Sequence, residues 1–80
     1  SFNRVEFKAI NLSEIQRLVD KKGITDFDNV VFVENGLATK NDLIKILANG
    51  TLTAKVNVKA QAFSAKAKEA IEAQGGTVEE

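Results

Sequence analysis

The chain has 80 residues, enough for one small domain, and a domain of that size buries only about 60% of the surface its unfolded chain exposes. It contains no Cys and no His, which excludes disulfides, thiolate chemistry, the usual zinc, haem and iron–sulfur ligands and every His-based catalytic arrangement. Its formal net charge is zero, with 11 basic and 11 acidic residues, an unusual balance for a free-standing nucleic-acid binder.

Hydrophobic residues make up 44% of the chain and charged residues 28%, which is ordinary globular usage and not that of a disordered tail. The longest apolar runs, such as Val30–Val33, fall far short of a membrane span. The charge is unevenly distributed. Between Thr39 and Lys68 stand Lys40, Lys45, Lys55, Lys59, Lys66 and Lys68 against one acid, Asp42, whereas the remainder holds five basic and ten acidic residues. A basic face and an acidic face would give this division, and so would an ordinary solvated surface.

In chain order, Val5, Phe7 and Ala9 alternate with Arg4, Glu6 and Lys8, which predicts a strand with the apolar set turned inward. Ser13 with Gln16 three residues on forms a capping-box pattern. Ile15, Leu18 and Val19 follow at helical spacing, and Lys21, Lys22 and Gly23 suit a helix end, so a helix is expected over 13–22. The stretch 24–38 is ambiguous. Val30-Val31-Phe32-Val33 has strand propensity, yet Asp26 and Asp28 can cap a helix and Gly36 can stop one. Leu43–Leu47 reads as a strand, and Asn49-Gly50 is a strong hairpin signal. Leu52, Val56, Val58, Ala60 and Ala62 continue the alternation, which leaves Lys55, Asn57, Lys59 and Gln61 on one opposite face. Ser64 caps a second helix expected over 64–74, ended by Gly75-Gly76, and Thr77–Glu80 begins a last strand or a tail. These elements predict an α/β or α+β domain of strands with two main helices around one core.

Little in the chain supports catalysis. Gly75-Gly76 follows a helix instead of opening one, so it cannot cradle phosphate. Asp26 and Asp28 lack a nearby acid–base partner, and Ser13 and Ser64 lack a base to activate them. Glu79-Glu80 reads as a solvated end. Binding has more support, because lysines beside Asn57 and Gln61 could meet phosphate. Aromatic stacking has little: of five Phe, Phe7 and Phe63 read as core and Phe2 alone as exposed.

The stretch from Lys45 to Gly75 resembles the signature region of the ribosomal family shared by bacterial large-subunit protein fifteen and the archaeal/eukaryotic eighteen-e protein. It shows Lys45-Ile46-Leu47, Ala48 and Gly50, then Leu52, the alternating Val56 and Val58, Phe63-Ser64, Ala67, Ile71 and Gly75. The ending AIEAQGGTVEE and the upstream Asn11-Leu12-Ser13 fit the same domain. The resemblance implies a small single α/β domain of irregular β-β-α turns over 1–80, with a short helix or turn at 29–34. It implies a structural, non-enzymatic role in the large ribosomal subunit, in the cytoplasm, with ribosomal RNA and neighbouring ribosomal proteins as partners. It implies no cofactor, no membrane and no small-molecule substrate. Bacterial members carry a basic, Gly- and Arg-rich N-terminal extension with no counterpart here, so the chain is expected to be a domain cut from a longer protein. The signature residues themselves read as core, turn and cap positions.

RNA contact is accordingly expected from Lys55, Lys59 and Lys66 first, and from Lys40, Lys45 and Lys68 second. The alternative is a protein–protein interaction module with little RNA affinity of its own, using the acidic remainder and Val30–Val33.

Overall fold

A computed structural model describes residues 7–80, in which the chain coils three times around one core. The first turn contains β1 (Phe7–Asn11), α1 (Leu12–Lys22), β2 (Asp26–Phe27) and α2 (Asn29–Glu34). The second contains β3 (Leu43–Leu47), residues 48–56 without regular structure, and β4 (Asn57–Lys59). The third contains β5 (Ala62–Phe63), α3 (Ala65–Ala73) and β6 (Thr77–Glu79). Each turn gives one strand to each of two ladders, an odd one ordered β1-β3-β5 and an even one ordered β2-β4-β6. All four strand pairings are parallel. Parallel neighbours need a long crossover, and here each crossover runs through the other ladder.

The small α/β class is therefore as expected, but the hairpin is not. β3 pairs with β1 and β5, and Asn49-Gly50 joins no antiparallel strands. These two residues dock instead on the start of α1. The Asn49 carbonyl accepts the Ser13 N–H (3.0 Å), and the Asn49 amide donates to Asn11 Oδ1 (3.0 Å). The first N–H groups of a helix have no partner within it, so a neighbouring turn supplies one. Gly50 has φ +91°, and a Cβ there would lie 2.5 Å from Ser13 Cβ. The turn-forming dipeptide is thus selected by close approach and a left-handed backbone, not by a hairpin.

The same contact moves the helix start. α1 begins at Leu12 behind Asn11, not at a Ser13 cap. The Glu14 carboxylate accepts the Asn11 N–H (3.2 Å). Gln16, expected in a capping box, instead accepts the Thr53 N–H (2.9 Å) and donates to Asp20 (2.9 Å). Leu12, Ile15 and Leu18 form the buried stripe.

β1 faces the opposite way from the sequence expectation. Ile10 is buried beside Ile46, whereas Phe7 and Ala9 are exposed. Side chains alternate with period two, so the buried register partner at Ile10 puts every odd position of β1 outward. Phe7 is therefore 44% exposed and not a core residue. Val5 and Phe2 lie outside the described residues.

The Val-rich stretch is helix α2, as the family resemblance implies. Asp28 Oδ1 accepts the Val31 N–H (2.9 Å) as a cap, and Phe32 is fully buried, stacked on Phe27 at 5.7 Å between centroids. The run from Val56 to Ala62 is not one strand. It passes from the even ladder to the odd one at Ala60-Gln61, although Val56, Val58 and Ala60 remain buried throughout. Gln61 secures that step: its side-chain oxygen accepts the Ile44 N–H (2.8 Å) and Asn29 Nδ2 (3.1 Å). Ser64 caps α3 through the Ala67 N–H (3.1 Å). Phe63 packs half-buried against the core, and Thr77–Glu79 is a strand.

Two stability effects follow. Gly50→Ala adds left-handed strain, of order 1–3 kcal/mol, to a clash with Ser13, so it should lower the urea midpoint more than Gly23→Ala, whose added Cβ meets nothing within 4 Å. Phe32→Ala should cost about 3–5 kcal/mol, a large part of the stability of so small a domain, and chemical denaturation measures it.

Candidate nucleic-acid interface

The coil distributes the six candidate lysines over several surfaces. Lys59 ends β4 on the outer face of the even ladder, and its ammonium lies 3.3 Å from Glu79 Oε2. The β4–β6 register sets Lys59 opposite Glu79 and Asn57 opposite Thr77. The β2–β4 register sets Asp26 opposite Asn57. Asn57 donates to Asp26 (2.8 Å) and accepts from the Thr77 hydroxyl (3.0 Å). Over this face runs an open groove of about 190 Å³ lined by Asp26, Asp28, Asn57, Lys59, Thr77 and Glu79 together with Phe27 and Val58. It holds three carboxylates against one ammonium.

The Asn57 and Gln61 amides beside the candidate lysines are thus already engaged, Asn57 within this ladder and Gln61 at the crossing between ladders. The field along the groove favours cations over phosphate. None of this is visible along the chain, because Asp26, Asp28 and Glu79 come from the first and third turns and meet Lys59 only through strand register.

Lys55 is exposed on the crossing segment just before buried Val56. The end of its stem comes within 3.9 Å of a Cβ built on Gly75, so it passes over the C-terminal end of α3. Lys66 and Lys68 are exposed in the first turns of α3. That end of a helix carries partial positive charge, and the first turn of α3 holds no acid to balance the lysines. Lys40 is exposed between α2 and β3, in a groove of about 170 Å³ with Asn29, Val30, Val33 and Glu34. Lys45 is half-buried on the outer face of the odd ladder, between Ala9 and Ala62 in register. Among the described residues, Lys59 alone of the six has a carboxylate within ion-pair distance.

The residues weighed for catalysis have structural duties. Asp28 caps α2 and Ser64 caps α3, and the Ser13 backbone is held by Asn49. Among the described residues, no group of three His, Cys, Asp or Glu side chains is placed to hold a metal ion.

The family model for the ribosomal proteins 50S-L15 and 50S-L18e and their 60S counterpart matches residues 9–79. Among curated relatives, the large ribosomal subunit protein uL15 of Bacteroides thetaiotaomicron is 53% identical over 78 residues, covering 98% of this chain and 53% of the relative. Those of Phocaeicola vulgatus and Christiangramia forsetii are 50% and 52% identical, each covering 95% of this chain and 51% of the relative. The chain thus spans about half the length of the curated relatives it matches. The signature quoted from Lys45 to Gly75 lies wholly inside the matched region, and the chain belongs to the ribosomal L15/L18e family.

Proposed function

We propose that this chain is a non-catalytic structural constituent of the large ribosomal subunit, acting in the cytoplasm and holding ribosomal RNA beside neighbouring ribosomal proteins. The family match across residues 9–79 carries the reading. The described surface agrees with it. Polar side chains such as Asp28, Ser64, Asn57 and Gln61 are spent on caps and on links between strands and turns, as in a part whose work is to keep a fixed shape.

RNA contact on this reading is made with phosphate and shape, since Lys55, Lys66 and Lys68 stand exposed without a carboxylate ligand among the described residues. Lys40 and Lys45 add secondary contacts. Lys59 contributes least, because Glu79 lies 3.3 Å from its ammonium and Asp26 and Asp28 line the same groove. With formal charges that cancel over the whole chain, affinity for RNA is modest and falls steeply with salt.

A titration of the chain against large-subunit ribosomal RNA at several salt concentrations checks this. Each lysine that meets a phosphate contributes about 0.7–0.9 to the slope of log affinity against log salt. Lys55→Glu, Lys66→Glu and Lys68→Glu should each lower the slope by about that much, and Lys59→Glu by less. Equal effects of all four substitutions would show that the acidic groove does not screen Lys59. A wild-type chain that binds no RNA even at low salt would refute the contact.

A further inference from the structure

Asn49-Gly50 joins no hairpin, yet the pair has a reactivity of its own. An Asn side chain before Gly is open to attack by the following backbone nitrogen, because Gly has no Cβ to shield it. Both residues are exposed. Among the described residues the Gly50 N–H donates to no backbone acceptor outside the regular elements, so the nucleophile is not held in a turn bond.

The contact with α1 keeps the two groups from reacting. The Asn49 side-chain nitrogen donates to Asn11 Oδ1 (3.0 Å), and the Asn49 carbonyl accepts the Ser13 N–H (3.0 Å). Ring closure needs the Asn49 side chain to leave Asn11 and swing onto the Gly50 nitrogen. The docked turn therefore blocks a reaction that the undocked turn permits.

We propose that Asn49 is a deamidation site latched by Asn11, and that its reaction turns a transient opening of residues 48–56 into a permanent release of α1. In the open segment the Gly50 nitrogen gives its proton to water or hydroxide and bonds to Asn49 Cγ. The Cγ–Nδ2 bond breaks and ammonia leaves, which gives a succinimide. Water then opens the ring at one of its two carbonyls. Opening at Cγ gives aspartate. Opening at the main-chain carbonyl gives isoaspartate, whose chain runs through Cβ and Cγ. In sum, one water is consumed and one ammonium is released for each carboxylate formed, with no oxidant or cofactor.

The isoaspartate product cannot re-dock. It adds a backbone atom before Gly50, where a Cβ on Gly50 would already lie 2.5 Å from Ser13 Cβ. It also turns the former main-chain carbonyl into a pendant carboxylate. The Ser13 N–H then loses the acceptor that completes the start of α1.

Timed incubation of the intact protein at mildly alkaline pH tests this, with isoaspartate at position 49 quantified by peptide mass spectrometry. Parallel samples in urea give the rate of the open chain. Folded wild type should react at least about tenfold more slowly than its urea sample, because the reactive conformer is a minor state of the native ensemble. Asn11→Ser keeps a helix-capping residue, but its hydroxyl is too short to hold the Asn49 amide. It should accelerate the folded reaction about fivefold, the equivalent of about 1 kcal/mol, and leave the urea rate unchanged. Asn11→Asp keeps the acceptor and should react as slowly as wild type. In the purified isoaspartate chain the Ser13 amide should exchange its hydrogen faster. Asn49→Asp, which carries the charge on a normal backbone, should leave that amide protected. Equal folded and urea rates, or a folded rate that Asn11→Ser does not change, overturn the latch. An isoaspartate chain with undiminished protection at Ser13 overturns the release. A urea sample that forms no isoaspartate at position 49 overturns the site itself.

Discussion

The fold depends on a segment with no regular structure. Residues 48–56 carry the second turn of the coil from the odd ladder to the even one, where the first turn uses α1 and the third uses α3. On one side the Asn49 carbonyl holds the Ser13 N–H at the start of α1, with Thr53 bonded to Gln16. On the other, the Val56 carbonyl accepts the Thr77 N–H (3.1 Å) behind α3. A Cβ on Gly76 would collide with that same carbonyl. Only Leu52 and Val56 of this segment are buried, and its backbone bonds with the turns before and after it. Like a short solenoid, the coil gains its core only by stacking turns.

The sequence discloses those features whose cause is local. Leu12, Ile15 and Leu18 lie on one helical stripe, and Ser64 precedes a helix it caps, so both long helices are readable. What depends on contacts between turns is not readable. Asn49-Gly50 carries the composition of a hairpin, but its carbonyl and its left-handed glycine serve α1. The parity of β1 is set by which residue meets Ile46 across the ladder, and a pattern with small or polar residues on both faces cannot declare that. The Val-rich run is a helix because Asp28 caps it and Phe32 stacks on Phe27, a tertiary gain that outweighs β-propensity. The family resemblance implies a short helix or turn there, where periodicity leaves helix and strand open.

The lysines illustrate the same division. Their excess between Thr39 and Lys68 is plain in the sequence, and Lys55, Lys59, Lys66 and Lys68 are exposed. Their surroundings are not. The winding that builds the ladders also brings Asp26, Asp28 and Glu79 around Lys59, while Lys55, Lys66 and Lys68 lie on the crossing segments. Sequence-local charge counts miss this because neighbours in a ladder are one full turn of the coil apart. Among the described residues the two outer faces consequently differ in character, one carrying three carboxylates, the other largely apolar with a single lysine.

Native-state hydrogen exchange of the Ser13 and Thr77 amides tests most directly whether residues 48–56 are a structural turn and not a surface loop. The two amides are bonded to Asn49 and Val56, at either end of the segment. If the middle turn is integral, both open only with the whole domain, at the free energy of the amides in β3. If they exchange at an opening free energy lower than that of β3 by ~2 kcal/mol or more, the segment unfolds independently. The three turns would then not depend on it.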